Sequence, residues 1–198
     1  GLNNTAFGDG ALQKNTSGGE NSAYGSDALR DNLLGSDNIA NGFFAMSDNK
    51  NASKNIAIGR YALRNQNTTN GGIPLDTNNI AIGIESMYNT NPTISITGIN
   101  NTAVGNYAMK GNSIGLNNVA IGHSAMLGSV VPADNSGYNN SVMGAFALYS
   151  NTSGNNNIAI GTQSMFYNES GYENTGIGSN ALIHSKTGYR GTAIGMSA

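Results

Sequence analysis

The sequence predicts an all-β fold, a parallel β-roll or β-solenoid of eleven repeats of about 17 residues. Three observations carry this expectation. A short motif recurs along the whole chain, glycine and small residues hold fixed places inside it, and glycine-rich turns leave no room for a helix.

The motif reads Asn, any residue, Ala, an apolar residue, Gly, two free positions, a small residue, then Leu or Met. Copies begin at Asn4, Asn21, Asn38, Asn55, Asn79, Asn101, Asn118, Asn140, Asn157, Asn174 and Gly191, with starts 17, 17, 17, 24, 22, 17, 22, 17, 17 and 17 residues apart. Such a period marks units that bury a continuous core only by stacking. Positions are numbered below from the first motif residue of each copy.

Position 1, Asn in all copies but the last, is a turn former ahead of a strand. Stacked one coil apart, these amides can also hydrogen-bond in a ladder. Positions 1–5, as in Asn157-Ile158-Ala159-Ile160-Gly161, alternate large and small and predict a short strand. Position 3 is Ala except at Val142 and Gly176, and position 4 is mostly Ile, with Asn41 breaking the column in the third copy. Position 5 is Gly in every copy: Gly8, Gly25, Gly42, Gly59, Gly83, Gly105, Gly122, Gly144, Gly161, Gly178 and Gly195. An unbroken glycine column implies a corner or close backbone approach that a Cβ would obstruct.

Position 8 is Ala or Ser throughout, so something packs very close to it, either the opposite wall of a narrow coil or a neighbouring chain. Position 9 is Leu or Met in ten copies. Gln163-Ser164-Met165-Phe166 reads as a second short strand, and Tyr167-Asn168-Glu169-Ser170-Gly171-Tyr172-Glu173 as turn chemistry. A second regular turn is expected near position 15, which is Gly in six of the seven 17-residue repeats, Ala52 being the exception. Recurrent mid-motif Gly excludes an amphipathic helix.

Charged residues are 10% of the chain, against about 25% in ordinary domains, and 33 Asn with Ser, Thr and Gly supply the polar surface. The regular return of Ala, Ile and Leu separates this chain from a disordered polar tract. A net charge of −2 offers no basic footprint for nucleic acid. Absent cysteine excludes disulfides and thiolate metal sites. No segment approaches the about 20 apolar residues of a membrane span, so no membrane insertion by this segment is expected. The chain reads as one repeat array over residues 1–198, cut on repeat boundaries from a longer fibre. Each narrow coil holds few large apolar side chains against an ordering cost of about 1–2 kcal/mol per residue, which points to burial against partner chains.

The blocks Asn157-Ile158-Ala159-Ile160-Gly161 and Asn118-Val119-Ala120-Ile121-Gly122 resemble the head repeats of trimeric autotransporter adhesins of the YadA type. The run Ala147-Leu148-Tyr149-Ser150-Asn151-Thr152-Ser153-Gly154 followed by Asn157-Ile158-Ala159-Ile160-Gly161 is closer to repeats of phage tail fibres, and this resemblance covers the whole chain. The adhesin heads use a shorter repeat. Both groups imply a left-handed homotrimeric β-roll on a virion tail or a bacterial cell surface, which presents a stiff face to a host glycan or protein. Neither implies a catalytic residue.

Three repeats carry extra residues, at about 64–78, 88–100 and 127–139, and these contain all three Pro, at Pro74, Pro92 and Pro132. Insertions in a solenoid become loops on one side, so Ile73, Leu75, Asp76, Ile94, Ile96, Val130, Val131, Asp134 and Tyr138 are candidate receptor contacts. The alternative is packing on the roll itself or on a neighbouring chain. Tyr138, Tyr172 and Tyr189 share the place two residues before a motif and line one edge, suited either to glycan stacking or to shielding the corner. His123 and His184 lack further ligands at metal spacing. Gly18-Gly19 and Gly71-Gly72 lack the ending of a phosphate loop. No Ser sits in a nucleophile elbow, and clustered carboxylates for polysaccharide cleavage are missing. The expectation is a non-enzymatic, cofactor-free fibre or adhesin segment. An ice-binding solenoid is the remote alternative, and no column here is uniformly Thr.

Overall fold

The computed structural model describes residues 1–66, 72–90, 97–128 and 135–198. Every regular element among them is a strand: β1 (Thr5–Phe7), β2 (Ser22–Tyr24), β3 (Ile39–Asn41), β4 (Ala52–Ser53), β5 (Ile56–Ile58), β6 (Leu75–Asp76), β7 (Ile80–Ile82), β8 (Thr102–Val104), β9 (Val119–Ile121), β10 (Ser141–Met143), β11 (Ile158–Ile160), β12 (Thr175–Ile177) and β13 (Thr192–Ile194). Eleven form one parallel sheet in chain order, while β4 and β6 pair separately. The register is that of the motif, with Ala159 opposite Val142 on one side and Gly176 on the other. The chain is thus all-β, a stack of coils in the manner of a β-solenoid.

Glycine closes the strand at position 5. Gly122 has φ 138°, and a Cβ there would lie 2.5 Å from the Gly144 carbonyl oxygen of the next coil. Both the backbone conformation and the spacing between coils therefore require Gly.

The expected second strand does not form. Gln163 and Met165 have φ of 56° and 52°, and positions 7 and 9 are left-handed in coil after coil, with negative-φ residues between them. Alternate amides then point along the stack. The Gly161 and Gln163 N–H groups donate to the Met143 and Ala145 carbonyls of the preceding coil, and the Met165 N–H donates to the Ala181 carbonyl of the following one. Between them the Ser164 N–H closes a turn on the Gly161 carbonyl of its own coil. Branching at Cβ makes positive φ strongly unfavourable. That explains why position 9 is Leu or Met, never Ile or Val, and why position 7 holds no Val, Ile or Thr.

The core is a double column. Position 3 (Ala23, Ala40, Ala57, Ala81, Ala103, Ala120, Ala159) is fully buried, as is position 9 (Leu29, Met46, Leu63, Met87, Met109, Leu148, Met165). Position 8 forms the opposite wall, and its side chain faces position 3 of the following coil. A Cβ on Gly176 would meet Ser164 Oγ at 2.9 Å and Met165 Cγ at 3.0 Å, and Ser164 Oγ donates to the Gly176 carbonyl at 2.9 Å. The inward position holds only small side chains, buried Val142 being the largest, so the large apolar side chains of the strand lie elsewhere.

Asparagine fills the polar half of the interior. Asn118 is representative. Its Nδ2 donates to Asn101 Oδ1 at 3.2 Å and to the Gly137 carbonyl at 2.8 Å. Its Oδ1 accepts the Asn140 backbone N–H and Nδ2, both at 3.0 Å. The position 1 ladder runs coil to coil in this way, and Thr77 and Gln66 join it at Asn55. A second buried ladder links Asn15, Asn32 and Asn49 at position 12, at 2.9 Å per step. Each amide satisfies a buried peptide group that the narrow coil would otherwise leave unpaired.

Candidate functional site

A three-residue strand with one side chain inward sends the other two outward. In β11, Ile158 and Ile160 are 40% and 38% exposed while Ala159 is fully buried. Phe7, Tyr24, Ile39, Ile58, Ile82, Val119, Ile121, Met143 and Ile194 are likewise exposed. Positions 2 and 4 therefore form two parallel columns on the outer face of the sheet. At about 4.8 Å per strand, the eleven strands extend this face to about 50 Å. Position 4 is apolar in ten of the eleven coils, and position 2 is Ile or Val in five and Thr or Ser in six; large exposed apolar patches mark interaction sites.

One border of the face is a solvent-exposed asparagine ladder just before the motif. Asn78, Asn100, Asn117, Asn139 and Asn156 are linked Nδ2 to Oδ1 at 3.2–3.3 Å. All five are left-handed, a conformation that Asn tolerates better than other side chains.

The wall after the face, from positions 6, 7, 10 and 11, is aromatic and charged. Tyr149 and Phe166 stack at 4.8 Å with planes 4° apart, Tyr167 and His184 stack at 5.7 Å, and Tyr107, His123 and Phe146 meet edge to face. In the early coils Arg64 lies over Phe44, Tyr61 and Tyr88 and donates to the Tyr88 hydroxyl at 2.7 Å. Arg30 binds Asp31 through two nitrogens at 3.0 and 3.1 Å and reaches Asp48 at 3.4 Å. The Arg30 hydrogen bonds, aided by Lys14, hold the Asp31 carboxyl below its ordinary pKa, and the guanidinium is raised in turn. Tyr172 and Tyr189 stack at 5.5 Å with planes 10° apart. Each ring covers one face of the other, and both stay exposed, Tyr172 at 38% and Tyr189 at 63%.

Of the candidate loop contacts, Ile73 is 62% and Tyr138 40% exposed. Leu75 and Asp76 instead form β6, paired with Ala52 and Ser53 of β4, and Asp76 is bridged to Lys54 at 2.5 Å. This end of the first insertion folds back on the roll. Ile94, Ile96, Val130, Val131 and Asp134, with Pro92 and Pro132, lie outside the described residues. The structure does not gather the described candidates into one place, and the extended surface is the outer sheet face, which sequence reasoning did not single out.

Among the described residues there is no group of three or more His, Asp or Glu placed to hold a metal ion, and no helix is long and apolar enough to cross a membrane. Compared with protein-family models, with curated proteins and with solved structures, the chain matches none of them.

Proposed function

We propose that this chain is a segment of a homotrimeric fibre of the tail-fibre kind, located outside the cell and serving attachment to a host-surface glycan or protein without catalysis. One observation carries the reading: position 4 places an apolar side chain on the outer sheet face in ten of the eleven coils, beside a position 2 column of Ile and Val interspersed with Thr and Ser, and this face packs against nothing in the single chain. A strip about 50 Å by about 10 Å is about 500 Å². This equals the largest patch on an ordinary monomer but falls short of the about 800 Å² per partner of a standard interface. Two faces packed flat would use the strip alone. Three chains around a common axis let each one touch two others, adding the borders of the face to the buried area. The coil-to-coil hydrogen bonds supply stiffness along that axis, which a fibre needs and a small-ligand pocket does not.

The test is the solution mass by light scattering, with circular dichroism of the same sample. The reading expects a β spectrum and a mass near three times 20.4 kDa. A folded β monomer overturns it.

A further inference from the structure

The outer face poses a problem that its own regularity creates. Position 4 reads Ile58, Ile82, Val104 and Ile121 across four successive coils, and Ile160, Ile177 and Ile194 across the last three. If copies associate through this face, sliding one of them by a single coil, about 4.8 Å, exchanges nearly equivalent apolar contacts. Apolar ladders therefore favour association without fixing axial alignment, and a repeating interface needs a separate feature to specify register.

Asn41 is that feature. It is the one position 4 residue with an amide in a column otherwise of Ile, Val, Met and aromatic side chains. It lies on β3 between Tyr24 of β2 and Ile58 of β5, exposed on the outer face. The buried ladders of positions 1 and 12 use their asparagines for coil-to-coil hydrogen bonds. The Asn41 amide has no side-chain hydrogen bond to any described residue, although its backbone carbonyl accepts the Gly59 N–H at 2.8 Å. Its side chain contributes nothing evident to its own coil, where Ile serves at the same position in other copies.

We infer that Asn41 is the register-specifying residue of the interface between copies of this chain, a deduction that rests on the trimeric reading above. Aligned copies place their Asn41 amides at one height, where each has a carbonyl oxygen and two N–H groups to exchange with the others. Slipping by one coil sets each amide against the level of Tyr24 or Ile58, desolvated and short of partners. A polar residue in an apolar seam specifies alignment by this penalty, at some loss of stability. Two or three such amides disfavour the slipped assembly by about 100-fold or more. The Thr and Ser residues of position 2 offer only hydroxyls, distributed over six coils (Thr5, Ser22, Thr102, Ser141, Thr175, Thr192), and so mark no single height.

The chain has no native cysteine, so introduced thiols report uniquely. Chains carrying Ile58→Cys are mixed with differently tagged chains carrying Ile82→Cys, assembled and oxidised, and the mixed 58–82 disulfide is compared with the 58–58 disulfide. With Asn41 present, the same-level disulfide should dominate, because a one-coil offset of about 4.8 Å added at right angles to a lateral Cα separation of about 5.5 Å puts the two Cα atoms about 7.3 Å apart, past disulfide reach. Adding Asn41→Ile to both chains should leave the assembled mass unchanged and raise the mixed fraction about tenfold or more. An unchanged ratio in an assembly of unchanged mass overturns the role of Asn41 while leaving the trimer intact. A native chain that is monomeric and forms no cross-link overturns the trimeric reading itself. An independent readout is Asn41→Asp. Carboxylates meeting at one height should weaken association at least tenfold at neutral pH, with recovery near pH 4 as they protonate. Association that does not change with pH places Asn41 away from its counterparts and overturns the inference.

Discussion

Replacing Asn118 with Ala tests whether the buried asparagines hold the coils together. Truncation removes all four side-chain hydrogen bonds described above. Two of the groups left behind keep other partners: Asn101 Oδ1 still accepts the Asn118 backbone N–H, and Asn140 Nδ2 still donates to the Gly154 carbonyl. The Asn140 backbone N–H and the Gly137 carbonyl lose their only side-chain partner in a buried setting. Two orphaned groups at about 1–3 kcal/mol each give a loss of about 2–6 kcal/mol. The matched control is the neighbouring Asn117, part of the exposed ladder with φ 55°. Asn117→Gly keeps the left-handed backbone, deletes one solvated amide and should change stability by less than about 0.5 kcal/mol. Urea unfolding at fixed protein concentration gives both values, and hydrogen exchange at the Asn140 amide gives the local effect. Equal losses for the two variants, or an Asn140 amide still protected in Asn118→Ala, would refute the claim that the ladder satisfies buried backbone groups.

Other substitutions test the backbone and the charged wall. Gly122→Ala combines a forbidden φ with a Cβ 2.5 Å from Gly144 O and should cost about 2–6 kcal/mol, whereas at Gly195 the nearest atom is 3.9 Å away and only the conformational part, about 1–3 kcal/mol, remains; thermal melts of both give the difference. Leu148 has φ 49°, so Leu148→Ile should destabilise by about 2 kcal/mol or more and Leu148→Met by under about 1.5, as measured by denaturant midpoints. Asp31 is held below its ordinary pKa by Arg30, so its contribution is present above the unfolded carboxyl pKa and is lost as pH falls through the lower folded value. Asp31→Asn should therefore cost about 0.2–1 kcal/mol at pH 7, and the gap should close on acidification below about pH 4, read from urea midpoints at both pH values.

The stack itself was legible because its constraints fall on single columns. Only Gly suits position 5 between two coils, only a small side chain fits at positions 3 and 8, and at position 1 an amide makes two donor bonds through Nδ2 while it accepts through Oδ1. The orientation of the strand was not legible. Alternation in Ile158-Ala159-Ile160 has the same period whichever face is inward, and the large residues face out here because the opposite wall leaves room for nothing larger than Val142. The segment Gln163–Phe166 was misread as extended because alternating left- and right-handed residues mimic a strand in sequence. The available signal was the absence of β-branched residues at positions 7 and 9. The insertions were recognisable as departures from the period, but composition did not reveal that Leu75 and Asp76 pair back onto β4.

The most direct test of the account measures whether the outer sheet face is covered in the native assembly. Single-cysteine variants Ile121→Cys, on the face, and Thr162→Cys, on the exposed wall beside it, are labelled with a thiol reagent in the folded state, and again after denaturation as a reference. The account predicts labelling at position 121 slower by about 100-fold than at position 162, with the difference abolished on unfolding. Equal rates in the folded protein would mean that the apolar columns stand free in solution and would contradict it.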